Sequence, residues 1–160
     1  MIDGISIRPM RLTDVPRVMA IELQCFTMPW SEPTFRGLLR RSDADLYVAE
    51  AGNVVVGYSV FWSVLDQGEL GNVSVAPEWR RRGIGEELVK TILAAAAKRG
   101  VREVFLEVRV SNTSAQKLYE RHGFTHVGRR RNYYLEPVED ALVMRHQLEP
   151  EQMTNVNEKT

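Results

Sequence analysis

The chain has 160 residues, 21 Lys and Arg against 21 Asp and Glu, and 44% hydrophobic residues. That length suits one domain with a sizeable core, and a net charge of zero gives no whole-molecule field to draw nucleic acid. The longest apolar run, VVVGYSVFWSVL, spans 12 residues and is broken by Gly57; it is too short to cross a bilayer, so no membrane partner is expected.

In chain order, ISIRP alternates as a short strand. TDVPRVMAIELQCF predicts a helix with Thr13 as N-cap and Val15, Val18, Ile21 and Leu23 as its apolar stripe. PWSEPTFRGLLRR predicts a second short helix capped by Ser31. LYVAE and VVVGYSVFW read as strands joined by a Gly52-Asn53 hairpin turn. GELGNVSVAP is a further strand, stopped by Pro77. A helix from Gly83 to about Arg99 buries Ile84, Leu88, Ile92 and Ala95 and stops at Gly100. REVFLEVRV is a strand with Val104, Leu106, Val108 and Val110 on one face and Glu103, Phe105, Glu107 and Arg109 on the other. NTSAQKLYERHGF predicts a helix with a Thr113-x-x-Gln116 capping box and Gly123 as its stop. FTHVGRRRNYY and EDALVMRHQL are two final strands. There is no internal repeat or linker, so residues 1–148 read as one mixed α/β domain and residues 149–160 as a polar, frayed tail.

Cys25 is the only cysteine, so no intrachain disulfide can form, which fits a reducing compartment. MIDGISIRPM has no basic segment followed by an apolar one, so no signal peptide is expected and the cytoplasm is the expected location.

The segment EWRRRGIGEEL, residues 78–88, places three arginines and two glycines where a strand passes into a helix. A helix start leaves backbone N–H groups unpartnered and carries partial positive charge. Glycine lets a ligand approach that backbone, and arginines add donors at the rim. The combination suits a phosphate or pyrophosphate. Solvated arginines beside a glycine turn are the plain alternative. No Walker A string is present, and Leu88 stands where a dinucleotide fingerprint needs its third glycine.

VSVAPEWRRRGIGEEL closely resembles the acetyl-CoA motif of the GNAT acyltransferase superfamily, a strand followed by [RQ]-x-x-G-x-[GA] and a helix. PWSE, NVSVAPEWRRRGIG, LEVRVSNTSAQKLYERHGF and RRNYY…EDALVM together resemble the ribosomal-protein alanine N-acetyltransferases of the RimI type across nearly all of residues 5–148. The resemblance implies a single-domain fold with a mixed, mostly antiparallel sheet flanked by about four helices. It implies acetyl-CoA as co-substrate and no metal. Val73, Ser74 and Val75 would lie along the pantetheine arm. Arg80, Arg81, Arg82, Gly83, Ile84, Gly85 and Glu86 would surround the pyrophosphate, and Asn112 would touch the cofactor. A backbone N–H near Val75 would hold the oxyanion. The implied acceptor is the N-terminal alanine of small-subunit ribosomal protein eighteen, acetylated directly.

Acetyl transfer to an amine needs a neutral amine, a stabilised oxyanion and a protonated leaving thiolate. An α-amine with a pKa of about 7.7 to 8.0 is already partly neutral at pH 7, so a modest base is sufficient. Unaided, Glu107 reads as a surface carboxylate paired with Arg109, Asn112 as a helix cap and Tyr119 as a core residue. The resemblance makes Glu107 the general base, directly or through a water, and Tyr119 the proton donor to the cofactor sulfur. His122 and His126 lack metal-ligand spacing and read as structural. Cys25 reads as a buried small hydrophobe, with an acyl-enzyme role to be excluded by experiment. Tyr133 and Tyr134 are packing residues or border the peptide site. Gly71 departs from the bulky apolar residue of relatives, which predicts a bulge or close backbone approach and a wider acceptor entrance. Rivals are a broader N-terminal or lysine acetyltransferase and a non-enzymatic acyl-CoA-binding module. The latter has no need of both Glu107 and Tyr119.

Overall fold

The period-two segments assemble into one sheet ordered β1-β2-β3-β4-β5-β7-β6. The computed structural model describes residues 4–148. Its elements are β1 (Ile5–Pro9), α1 (Val15–Cys25), α2 (Glu32–Leu39), β2 (Ala44–Ala51), β3 (Val54–Val64), β4 (Gln67–Val75), α3 (Ile84–Lys98), β5 (Glu103–Arg109), α4 (Thr113–Arg121), β6 (Thr125–Leu135) and β7 (Val138–Gln147). The tail at 149–160 lies outside the described residues. Every neighbouring pair of strands is antiparallel except β4 with β5. The mixed, mostly antiparallel sheet with four α-helices is the architecture the resemblance implied.

Consecutive strand residues serve opposite faces. Val60 packs with Val15, Val18, Ile21 and Phe35 beneath α1 and α2, whereas Phe61 packs with Val89, Ile92, Tyr119 and Met144 beneath α3 and α4. The predicted α3 stripe is buried in full. Ser31 caps α2 by accepting the Thr34 N–H.

Two helix starts differ from expectation. A single 3₁₀ turn, Leu12–Asp14, precedes α1, and Asp14 rather than Thr13 accepts the Arg11 N–H, at 2.8 Å. Leu23 is exposed and Glu22 takes the buried place on α1, because Glu22 finds several donors there (below). At α4, Asn112 caps by accepting the Ala115 N–H at 3.1 Å. Gln116 does not complete a capping box; its amide turns back to the Arg109 and Val110 carbonyls at 3.0 and 2.8 Å.

The sheet opens at its centre. β4 and β5 pair only at Gln67↔Glu103, Gly68↔Val104 and Glu69↔Phe105, after which the strands diverge. β4 also bulges: Val60 pairs with Asn72 and Phe61 with Leu70, leaving Gly71 as the extra residue. A Cβ on Gly71 would lie 2.6 Å from the Trp62 ring and 2.8 Å from that of Trp30. The expected bulge and close approach are present, but the two indole rings fill the space, so Gly71 does not widen an entrance.

Candidate active site

The first half of the site is built where β4 passes into α3. Gly83 is the N-cap in the left-handed region, φ +80°, and Arg81 lies there too, φ +65°. Glu87 is the first residue whose N–H reaches a helical carbonyl, that of Gly83 at 3.2 Å. The N–H groups of Ile84, Gly85 and Glu86 therefore precede the helical ladder and lack helical acceptors. They open on a cavity of about 670 Å³.

Of the residues expected at the cofactor, Val73, Ser74, Val75, Arg80, Arg81, Gly83, Ile84, Gly85, Glu86 and Asn112 line this cavity. Arg82 is not among them. Its guanidinium lies over the Trp79 ring, 4.5 Å from the centroid, where a flat cation is favoured by the ring quadrupole. Ile84 is 1% exposed, so it offers only its backbone. Glu86 is tied to Arg121 at 2.7 Å.

β4 presents backbone to the same cleft. The Val75 carbonyl accepts from Arg80 Nε at 3.1 Å and from the Cys25 thiol at 3.8 Å, while the Ala76 N–H turns the other way to Val56. Polar groups of a strand alternate sides residue by residue. The N–H and C=O of Val73, and the N–H of Val75, thus face the gap that β5 leaves open. This is an extended acceptor-and-donor rail leading from the phosphate-type end toward the sheet centre.

A second cavity of about 550 Å³ meets the first, sharing Cys25, Phe26, Val73, Asn112 and Ala115. Both expected catalytic residues, Glu107 and Tyr119, line it. Tyr119 is 8% exposed and packs edge-on against Phe124. Burial pushes its phenol well above the ordinary value, so it holds its proton. Glu107 does not pair with Arg109: its Oε2 lies 3.2 Å from Arg130 Nε. Arg109 instead reaches Glu139 at 3.1 Å, the Glu136 and Pro137 carbonyls at 3.2 Å each, and Thr27 Oγ1 at 3.3 Å, with its guanidinium over the Tyr134 ring. Thr27 also donates to the Glu136 carbonyl. Arg109 thereby ties the loop between α1 and α2 to the turn between β6 and β7 at the cavity rim.

Several residues of this cavity carried no signal in the sequence. Glu22, 1% exposed, accepts from the Trp30 N–H at 2.7 Å, from Asn72 Nδ2 at 3.2 Å and from the Tyr58 hydroxyl; its burial raises its carboxyl above the usual range. Glu69 lies on the face shared with Glu107, and burial together with the Glu107 charge pushes its carboxyl up to about 7. Only the parallel register of β4 and β5 brings these two together. Tyr133 and Tyr134 line the cavity, with their rings edge to face. Cys25 is half-buried at the junction of the two cavities, with Arg80 Nη2 donating to its sulfur at 3.2 Å; it is no simple core residue. His122 and His126 stand 3.7 Å from Glu86 and Glu120 respectively. Among the described residues no group of three or more His, Cys, Asp or Glu could hold a metal, and no helix is long and apolar enough to cross a membrane.

An open sheet centre, a backbone rail and a glycine-opened helix start define an acyl-CoA-type acyltransferase site. The family model of the acetyltransferase (GNAT) family matches residues 15–124, and the chain belongs to that family of acetyl-CoA-dependent enzymes. Within it, the chain is related to [ribosomal protein bS18]-alanine N-acetyltransferases. It is 35% identical over 141 residues to the one from Escherichia coli (strain K12), covering 87% of this chain and 95% of that protein. It is 37% identical over 134 residues to that of Salmonella typhimurium (strain LT2), covering 82% and 90%. The crystal structure of the ribosomal-protein-S18-alanine N-acetyltransferase from Escherichia coli superposes with a TM-score of 0.82 at 33% identity, over 89% of this chain and 93% of that one.

Proposed function

We propose that the protein is a cytoplasmic N-terminal α-amine acetyltransferase that acetylates the N-terminal alanine of ribosomal protein bS18 directly from acetyl-CoA. The observation that carries this reading is the meeting of two cavities at Val73 and Asn112, with Glu107 and Tyr119 in the second. The acceptor follows the relatives' named substrate.

The free N–H groups of Ile84, Gly85 and Glu86, with Arg80 and Arg81 at the rim, would hold the pyrophosphate. The cleft-facing groups of Val73 and Val75 would pair with the amides of the pantetheine arm, and the Val75 N–H would steady the oxyanion. Glu107 accepts a proton from the acceptor nitrogen, and the buried, protonated Tyr119 gives one to the departing sulfur. Arg82, held on Trp79, lies outside the lining of the first cavity.

The test is acetylation of peptides beginning with Ala, Ser, Thr or Met beside an N-blocked lysine peptide. The Ala peptide is expected to have the highest kcat/KM. A preference for the lysine peptide rejects the reading, and acetyl-CoA binding without turnover of any peptide makes the protein a binding module.

A further inference from the structure

An acceptor ammonium has three N–H bonds and the amide product has one, so two protons must leave the nitrogen. The acceptor cavity holds two carboxylates on one sheet face, Glu69 of β4 and Glu107 of β5, brought together by the Glu69↔Phe105 register. Their surroundings differ. Glu107 has its charge answered by Arg130 at 3.2 Å. Glu69 carries no ion pair or hydrogen bond of its own among the described residues. It lies beside the Trp62 register position on β3. The groups that act on it are Glu107 of β5 and Arg130 and Tyr133 of β6. Arg145, on β7 opposite Phe105, is taken by Glu103 at 3.5 Å.

We propose that Glu69 takes the first proton, from the acceptor ammonium, and that Glu107, held by Arg130, takes the second, from the nitrogen as the N–C bond forms. This rests on the amine-acceptor reading above. The protons balance as follows. The ammonium gives one proton to Glu69, which releases it to solvent. The neutral nitrogen attacks the thioester carbon, the C–S bond breaks, and the sulfur takes the Tyr119 proton. The nitrogen's second proton goes to Glu107, and solvent carries it back to Tyr119. One proton is released per turnover.

The division follows from the electrostatics. A carboxylate without an ion pair of its own, whose nearby Arg130 is already taken by Glu107, attracts an ammonium and gains most from neutralisation. Transfer is near even when donor and acceptor are matched: an α-ammonium titrates at about 7.7 to 8.0, and Glu69 at about 7. An ordinary exposed Glu, at about 4.3, would be more than three units too weak a base.

The test is the pH dependence of kcat/KM for an Ala-initiated peptide at saturating acetyl-CoA, for wild type, Glu69→Gln and Glu107→Gln. Glu69→Gln must rely on the neutral fraction of the free amine, on the order of a tenth at pH 7. Its kcat/KM is expected to fall about tenfold there and to return to within about twofold of wild type near pH 9.5, where the amine is already neutral. Glu107→Gln is expected to stay low throughout. A Glu69→Gln profile that tracks wild type, or a loss undiminished at the alkaline end, overturns the proposal. Carboxyl ¹³C NMR of the wild-type protein gives a reading independent of any variant's folding: Glu69 is expected to titrate at about 7, and a midpoint in the usual carboxylate range overturns it. Wild-type preference for the lysine peptide would reject the acceptor reading alone. The variants are then compared on that peptide, where an ammonium near 10.4 enlarges the expected loss.

Discussion

Tyr119 is almost fully enclosed, and its hydroxyl belongs to the cavity rather than to a hydrogen-bonded core network. Tyr119→Phe keeps the ring and its packing on Phe124, so the fold and acetyl-CoA affinity should persist. Loss of the proton donor is expected to lower kcat and kcat/KM together by roughly 10²- to 10⁴-fold, about 3 to 5 kcal/mol of barrier. Steady-state kinetics beside a thermal melt check this; unchanged kcat with chemistry rate-limiting removes Tyr119 from the mechanism. Gly85 acts through what it lacks. A Cβ there would stand 3.3 Å from Leu118 Cδ2 at the cavity wall. Gly85→Val should weaken acetyl-CoA binding by roughly tenfold or more, and Arg81→Ala by less, since only one charge-assisted contact is lost. Calorimetric titration of folded protein decides it, and unchanged affinity in Gly85→Val would mean that the helix start does not hold phosphate. The placement of both residues at the cavities was legible in the sequence because each belongs to a contiguous string. Arg82 belongs to the same string, yet its place was not legible, since the Trp79 ring that claims it is a matter of side-chain geometry.

At the scale of elements, the cavity rim depends on a connection between distant segments. Arg109, at the end of β5, bridges the α1–α2 loop and the β6–β7 turn through Thr27, Glu136, Pro137 and Glu139. Arg109→Ala is expected to loosen both segments, raising the peptide KM by roughly tenfold, the scale of one or two net hydrogen bonds. Acetyl-CoA affinity should stay near wild type, because no residue of the helix start touches this clamp. Separate KM values for the two substrates make the comparison, and an equal loss for both would mean a general collapse of the site. The strands and helices were readable because burial of one face imposes period two or 3.6. The clamp was not, because sequence adjacency favours Glu107 as the partner of Arg109 and register does not. Glu22 was not legible for a related reason: an apolar stripe through Ile21 and Leu23 leaves a charged residue out, whereas Trp30, Asn72 and Tyr58 supply donors that let it replace Leu23 in the interior.

Across the whole molecule, helices pack on both faces of a sheet that opens between β4 and β5, and carboxylates at its edge and near that opening respond to pH with opposite signs. Asp14 is the ordinary case. Its hydrogen bonds from Arg8 hold its carboxyl below the usual value, so its contribution is present above the unfolded pKa and is lost as pH falls through the folded one. Glu69 has the opposite sign. Burial and the Glu107 charge raise it to about 7 in the folded protein, against roughly 4.3 for an unfolded Glu. Its contribution is therefore fully present below about pH 4.3 and declines as pH rises through about 7, where the folded chain must carry an ion it disfavours. Glu69→Gln keeps the shape and removes the ionisation. Its melting temperature relative to wild type is expected to climb from about pH 4.3 to about pH 7 and then level off. Calorimetric scans of both proteins at matched ionic strength measure that difference. A difference constant across the range would mean that Glu69 titrates alike in the folded and unfolded chain, and that the opening exerts no pressure on it.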